Sequence, residues 1–351
     1  MRGNVVITGA TGFLGTHVHR EFVKRGYQTV GIAHRTSHYV HSHAPLFNSM
    51  AVRTYPEVSS FQYKAFDLME DRDVNSVYRA LRPIGLINLA AVVGGIGANQ
   101  ENPGRFIYEN LKMGMNLIHR ALKSTTMRDD GKFVQLGTVC SYPKHTPVPF
   151  KEEYLWNGYP EETNAPYGIA KKTLMEMIKA YNHQYPEGFR GICLIPVNLY
   201  GPMDNFNPKS SHVIPALIRK IYTAYLGGEA TVELWGTGEA SREFLYVEDA
   251  ARAIVNAYEL YDGSDPVNIG TGKEIKIKDL AVKIAQIIGY EGTFAFNTSK
   301  PDGQPRRCLN VSRAKTAFDF EAKVDFETGL KNTIDWYIKH FDMIEEEIKR
   351  E

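Results

Sequence analysis

The sequence predicts an α/β fold, a Rossmann-type doubly wound parallel sheet carrying a smaller mixed α/β lobe. Three observations carry that prediction. Short apolar runs alternate with amphipathic helical stretches up to about residue 200; a glycine-rich turn, Gly9-Ala-Thr-Gly12-Phe-Leu-Gly15, follows the first run; and the alternation loosens after Tyr200. Strand, helix, strand in repetition implies right-handed parallel crossovers, which place helices on both faces of one sheet.

Asn4-Val-Val-Ile-Thr8 reads as a short buried strand, followed by a helix through about Lys24. Tyr27 to Ala33 is a second strand and Phe61 to Phe66 a third. Asp71 to Leu81 has apolar residues three and four apart, the spacing of a helix with one buried face. Gly85 to Ala91, Lys132 to Leu136 and Gly191 to Pro196 supply strands four to six, with one long helix ending near Lys123 and an alanine-rich helix over Ala165 to Tyr181. Another helix is expected near Val247 to Leu260. Residues 1–199, with a returning segment about 245–270, are expected to bind a dinucleotide; 200–244 and 271–351 are expected to form the substrate lobe. No Gly/Ser-rich or Pro-rich spacer separates them, so the two parts should interleave.

The 351 residues suffice for a sizeable core. A formal net charge of +1 provides no global field toward nucleic acid or an acidic membrane, so an anionic substrate needs a local basic pocket. No apolar run approaches the roughly 20 residues of a membrane span, and the first residues show no signal-peptide pattern. Cys140, Cys193 and Cys308 are odd in number and widely spaced, which suits cytoplasmic free thiols and neither disulfides nor a metal site.

The glycine turn sits between the first strand and first helix, where backbone N–H groups and the helix N-terminus receive a pyrophosphate. Gly9, Thr11, Gly12, Phe13, Leu14 and Gly15 are the expected contacts. NAD sites carry an acidic residue about 20 positions on, for the ribose 2′-hydroxyl. Here the second strand ends in Ala33-His34-Arg35-Thr36-Ser37 without an acid. Arg35, aided by His34, suits a 2′-phosphate, so the expected cofactor is NADP(H). Asp67 could accept a bond from the adenine amine. Ligands in such sheets lie at the carboxyl ends of the strands, which adds Leu68, Leu89, Ala90, Ala91, Pro196, Asn198 and Leu199.

Tyr167-Gly-Ile-Ala-Lys171 places a phenol and an ammonium on one helical face, with Thr138 just beyond the fifth strand. The lysine is expected to lower the phenol pKa and make it usable as an acid or base.

The glycine turn, Asn88-Leu-Ala-Ala91, Thr138 and Tyr167/Lys171 resemble the extended short-chain dehydrogenase/reductase superfamily. Longer strings are similar to the GDP-L-fucose synthase family within it: Val93-Gly-Gly-Ile-Gly-Ala-Asn99, Phe106-Ile-Tyr-Glu-Asn110, Cys140-Ser-Tyr-Pro143, Asn198-Leu-Tyr-Gly-Pro202, Asp204-Asn-Phe206, Ser211-His-Val-Ile-Pro-Ala-Leu217, Trp235-Gly-Thr-Gly238, Arg242-Glu-Phe-Leu245 and Ser299-Lys-Pro-Asp-Gly303. That resemblance covers nearly the whole chain. It implies NADPH-dependent 3,5-epimerisation and 4-reduction of GDP-4-keto-6-deoxy-D-mannose. It assigns Thr138 and Tyr167 to the sugar's C4 oxygen, Lys171 to the tyrosine and the nicotinamide ribose, and Cys140 and His212 to the epimerising acid/base pair. Asn198, His212, Lys220, Trp235, Arg242 and Lys300 are the implied substrate contacts, and Arg219 lies beside Lys220. A homodimer joined by a helix bundle is also implied. Cys193 reads as core, and nothing marks Cys308.

The chain departs from that family at Thr138 (usually serine), at Ser141 (usually apolar) and at Asn88 (usually histidine). The alternatives are a reductase or epimerase acting alone on another GDP-linked deoxy sugar or heptose, and an NADP-binding regulatory protein without turnover.

Overall fold

The computed structural model describes residues 2–34, 50–51, 53–129, 131–300 and 303–350. Seven parallel strands form its main sheet: β1 (Arg2–Thr8), β2 (Tyr27–Ala33), β3 (Gln62–Ala65), β4 (Gly85–Asn88), β5 (Lys132–Leu136), β6 (Gly191–Pro196) and β10 (Val267–Ile269). Their order is β10-β6-β5-β4-β1-β2-β3, the doubly wound arrangement in which direction reverses beside β1. Central strands β4 and β5 are buried at every position, which is why they read as continuous apolar runs.

The crossover helices include α1 (Phe13–Lys24), α2 (Asp71–Leu81), α3 (Pro103–Lys123) and α4 (Ala165–Gln184). The fourth strand is shorter than the Gly85–Ala91 expectation. Beyond Asn88 the chain leaves the ladder, and the N–H groups of Leu89 and Ala90 donate to the Thr8 hydroxyl at 3.2 and 3.1 Å. Thr8 in turn donates to Asn88 Oδ1 (2.7 Å), and Asn88 Nδ2 donates to Gln135 Oε1 (2.9 Å). These buried side chains tie the carboxyl ends of three neighbouring strands, which explains Asn88.

After β6 the chain forms β7 (Asn198–Tyr200), α5 (Val213–Gly227), β8 (Thr231–Trp235) and β9 (Ser241–Tyr246). Then α6 (Val247–Leu260) packs on α1, and β10 closes the edge of the main sheet. The tail adds β11 (Glu274–Lys276), α7 (Ile277–Ile288), β12 (Thr293–Asn297), β13 (Arg306–Arg307) and α8 (Phe326–Arg350). Two apolar cores result: one around the main sheet, the other among α5, α7, α8 and the strands near them. Leu309, Ala314, Phe318 and Phe320, assigned by sequence to the lobe, pack in the first core.

Glu243 on β9 joins these parts. It is fully buried, and the N–H groups of Thr271, Gly272 and Leu309 donate to its carboxylate at 2.5, 2.7 and 2.6 Å. Burial raises its pKa and those bonds oppose the rise. Glu243→Ala strands one buried donor, at Leu309, and two partly buried ones, at Thr271 and Gly272, each costing up to about 1–3 kcal/mol. The expected loss is on the order of 4 kcal/mol in urea unfolding; a change below about 1 kcal/mol would show that the loops are held by other contacts.

Candidate active site

The glycine turn has the backbone that a dinucleotide requires. Gly9 has φ +65°, and a Cβ there would meet Ala90 N at 3.0 Å; at Gly15 it would meet Gly9 O at 2.1 Å. Only a chain without side chains passes at these two points. Gly12 caps the start of α1 and is exposed, while Thr11, Phe13 and Leu14 are half-buried, leaving the helix N-terminus open to an anion. At the end of β2, His34 is exposed, with Nε2 4.0 Å from Asp67 Oδ1. Arg35 lies outside the described residues. Asp67 follows β3 and accepts from Met69 N (2.9 Å), and the carbonyl of buried Leu68 accepts from Asn116 Nδ2. Leu89, Ala90 and Ala91 follow β4, Pro196 ends β6, and Asn198 and Leu199 come just after it on β7, so all lie at or just beyond carboxyl ends of the main sheet's strands. Asn198 Nδ2 donates to Glu243 O. These positions suit NADP(H).

Thr138 begins a short 3-10 turn, and its hydroxyl accepts from Cys140 N at 3.2 Å. That turn packs directly on the start of α4. A Cβ on Gly168 would meet Cys140 O at 2.3 Å, so glycine after Tyr167 permits the approach. Ser141 donates to Gly168 O at 3.0 Å, which gives the unexpected serine a partner. Tyr167 is thereby set beside Cys140, against the ring of Phe106.

The expected lowering of the Tyr167 pKa is not what the structure shows. Burial raises it, and a negative charge on Cys140 would raise it further. Lys171 Nζ is 5.9 Å from the phenol ring, and the lysine is itself so buried that its pKa falls to about 8. The phenol is therefore held protonated, as a proton donor must be, and the ammonium stays charged at neutral pH but not far above it.

His212 is the N-cap of α5. It keeps a solvent-exposed face within a crowded cleft. The crowding lowers its pKa, and the Arg307 guanidinium lowers it further. Arg307, on β13, was not singled out from the sequence. It is buried, its Nη1 lies 3.7 Å from Cys140 Sγ, and its Nε donates to Gln304 Oε1 at 3.2 Å. Its only sequence signal is its place in the Arg306-Arg307 pair just beyond Ser299-Lys-Pro-Asp-Gly303. Asn99 Oδ1, Asp204 Oδ2 and Ser211 Oγ, around the segment entering α5, are buried without hydrogen-bond partners among the described residues, and burial pushes the Asp204 carboxyl up to about 8.

In the outer lobe, the exposed indole of Trp235 has Lys300 Nζ 5.2 Å and Lys220 Nζ 5.5 Å from its ring centroid. Two cations beside one aromatic face form a surface suited to a base and its phosphates. Arg242 pairs in register with Arg307, and its Nη1 donates to Ser241 O. Arg219 belongs elsewhere. It makes a two-pronged ion pair with Glu345 on α8, at 2.7 and 2.8 Å, and so fastens the C-terminal helix. Cys193 is core, and burial raises its pKa; Cys308 is buried too, and its thiol is pushed up to about 12.

Comparison with known proteins agrees with this fold. The model of the NAD dependent epimerase/dehydratase family matches residues 5–270. "Probable GDP-L-fucose synthase 1" from Oryza sativa subsp. japonica is 36% identical over 96% of this chain and 93% of its own. GDP-L-fucose synthase from Escherichia coli (strain K12) is 36% identical over 96% and 97%. Among solved structures, a GDP-mannoheptose C4 reductase from Campylobacter jejuni with NADP bound is 27% identical, with a TM-score of 0.76 over 96% and 98% of the two chains.

Proposed function

The chain belongs to the NAD dependent epimerase/dehydratase family, and from that premise we propose that it converts GDP-4-keto-6-deoxy-D-mannose to GDP-L-fucose by 3,5-epimerisation and NADPH-dependent 4-reduction. The observation that carries this reading is the approach of Cys140 to Tyr167 across Gly168, with Arg307 Nη1 3.7 Å from Cys140 Sγ and its charge acting on His212. A reductase acting alone would need the phenol but no thiol and imidazole beside it. NADPH, when bound, supplies a hydride. Gly9, Gly12 and Gly15 would cradle its pyrophosphate, and Lys171 would hold the nicotinamide ribose. The C4 ketone acidifies the protons on C3 and C5. Cys140 and His212, on opposite faces, remove and return those protons, and Tyr167 with Thr138 holds the C4 oxygen and protonates it. Lys300, Lys220, Trp235 and Arg242 supply the local positive surface that a GDP group needs, while Asn198 lines the cleft.

The test is NADPH oxidation with GDP-4-keto-6-deoxy-D-mannose, followed by product identification. A product reduced at C4 with C3 and C5 unchanged would favour the reading as a C4 reductase alone, the activity named for the NADP-bound structural relative. Arg35→Ala is expected to weaken NADPH binding about 10- to 100-fold, through loss of charge-assisted bonds to the 2′-phosphate. NADH binding should change little; equal losses in titration would refute the NADP(H) preference.

We also read the two apolar cores as the basis of an NADP-binding part (1–199 with about 245–270) and a substrate-binding part (200–244 and 271–351). No helix among the described residues is long and apolar enough to cross a membrane. Cytoplasmic residence fits three free thiols. A homodimer fits the exposed Tyr108 and Met115 on α3; sedimentation as a monomer at micromolar concentration would oppose it.

A further inference from the structure

The crossover helices α2 and α3 both run back between parallel strands, so their carboxyl ends lie together at the edge of the sheet opposite the glycine turn. A cavity of about 380 Å³ opens at those ends, within the size range of small-ligand sites. Arg79 and Arg82 line it from the end of α2, and Arg120 and Lys123 from the last turn of α3. Ser124 and Thr126 line it from the segment just beyond, with their hydroxyls 3.2 Å apart. Its walls are tied together, because buried Tyr78 on α2 donates to Leu117 O on α3 at 2.7 Å.

Helix ends attract cations, since each carboxyl end carries about half a negative charge. That attraction accounts for only part of this cluster. Asp71 accepts from Arg120 Nη2 at 2.9 Å. Among the described residues, no Asp or Glu lies within ion-pair distance of Arg79, Arg82 or Lys123. With Asp71 and both helix ends counted, about two of the four positive charges have no counterpart. Neighbouring groups feel this field. The bond from Arg120 and its charge, with Lys112 and Lys123, hold the Asp71 carboxyl below its usual range. Burial, then Lys123 and Arg120, lower the pKa of His119. Nor does the end of α2 call for arginine: Arg82 has φ +44°, the left-handed conformation that favours glycine.

We propose that this cavity is a second anion site, which binds adjacent phosphoryl groups of a small ligand away from the cofactor and GDP-sugar sites. It stands independently of the epimerase reading. A guanidinium fork offers two N–H groups to two phosphate oxygens, and the hydroxyls of Ser124 and Thr126 supply neutral donors beside it. About two uncompensated charges match a diphosphate better than a single carboxylate. Tyr78 is the only ring among the described lining residues, and it is buried, so nothing here stacks on a nucleobase.

The test is calorimetric titration of inorganic pyrophosphate into the full chain saturated with NADP⁺ and GDP, which occupy the other two anion-binding regions. One further site is expected, with Kd below about 1 mM and weakened by added salt. Arg79→Ala combined with Arg82→Ala is expected to weaken it about tenfold or more. Both side chains are exposed, so the fold should persist by circular dichroism. If that pair does not fold, Lys123→Ala is expected to give a smaller loss of the same sign. Lysine at both arginine positions should keep part of the affinity, since the charge stays and the fork is lost. Lys300→Ala, in the GDP region, should leave this site unchanged. Pyrophosphate binding that survives the double alanine variant, or that falls with Lys300→Ala, would place the anion in the nucleotide sites and overturn the proposal. Binding only above about 1 mM would mark an adventitious ion only, and would overturn it as well.

Discussion

Tyr167→Phe is expected to lower C4 reduction about a thousandfold, within the 10²–10⁴ range of a well-placed general acid. The substitution removes one oxygen from a buried ring edge-on to Phe106, so the fold and NADPH binding should stay intact. The size of the effect follows from the environment. Burial holds the phenol protonated, and Lys171, lowered to about 8, is the nearby cation that can steady the charge left behind. Reduction in the parent enzyme should therefore fall as pH rises through about 8, where Lys171 loses its proton, and hold below it. Single-turnover NADPH oxidation measures both. Exchange of the C3 and C5 protons should survive in Tyr167→Phe, slowed by a poorer hold on the C4 oxygen. A loss of less than about tenfold would remove Tyr167 from proton donation.

The second large effect concerns Cys140→Ser. A serine hydroxyl does not ionise near neutral pH, so deuterium incorporation from D₂O at C3 and C5 should drop by at least about a hundredfold. NADPH binding should remain, because the glycine turn and β4 loop do not involve the thiol. Exchange at the parent rate would sink the epimerase assignment and leave a C4 reductase.

Much of the fold was legible along the chain. β5 and β6 are buried runs bounded by turn residues, β1 and β2 each carry a shorter buried stretch, and α2 carries its apolar spacing openly. The glycine turn was legible for a related reason: Gly9 and Gly15 answer a local demand for φ above zero and for close backbone approach. Contacts between distant segments were not. Arg219 looked like a substrate cation because α5 also carries His212 and Lys220, but its partner Glu345 is 126 positions away. Arg307 passed unmarked because what distinguishes it is a thiol 167 positions away and its own burial. The lowered phenol pKa failed similarly. Spacing of four shows that a lysine is near, but not that both groups are dry.

The sequence by itself determined the fold class and a dinucleotide site between the first strand and first helix. Through long matching strings, it also pointed to Thr138, Cys140, Tyr167, Lys171 and His212. Such features are encoded in neighbouring residues, whose periodicity and turn chemistry need no distant partner. The tertiary structure alone decided that Tyr167 is kept protonated and that Glu243 fastens three remote N–H groups. It alone placed the buried Arg307 guanidinium against Cys140. Those outcomes depend on desolvation and on charge at a few ångströms, quantities that exist only once the chain has closed on itself.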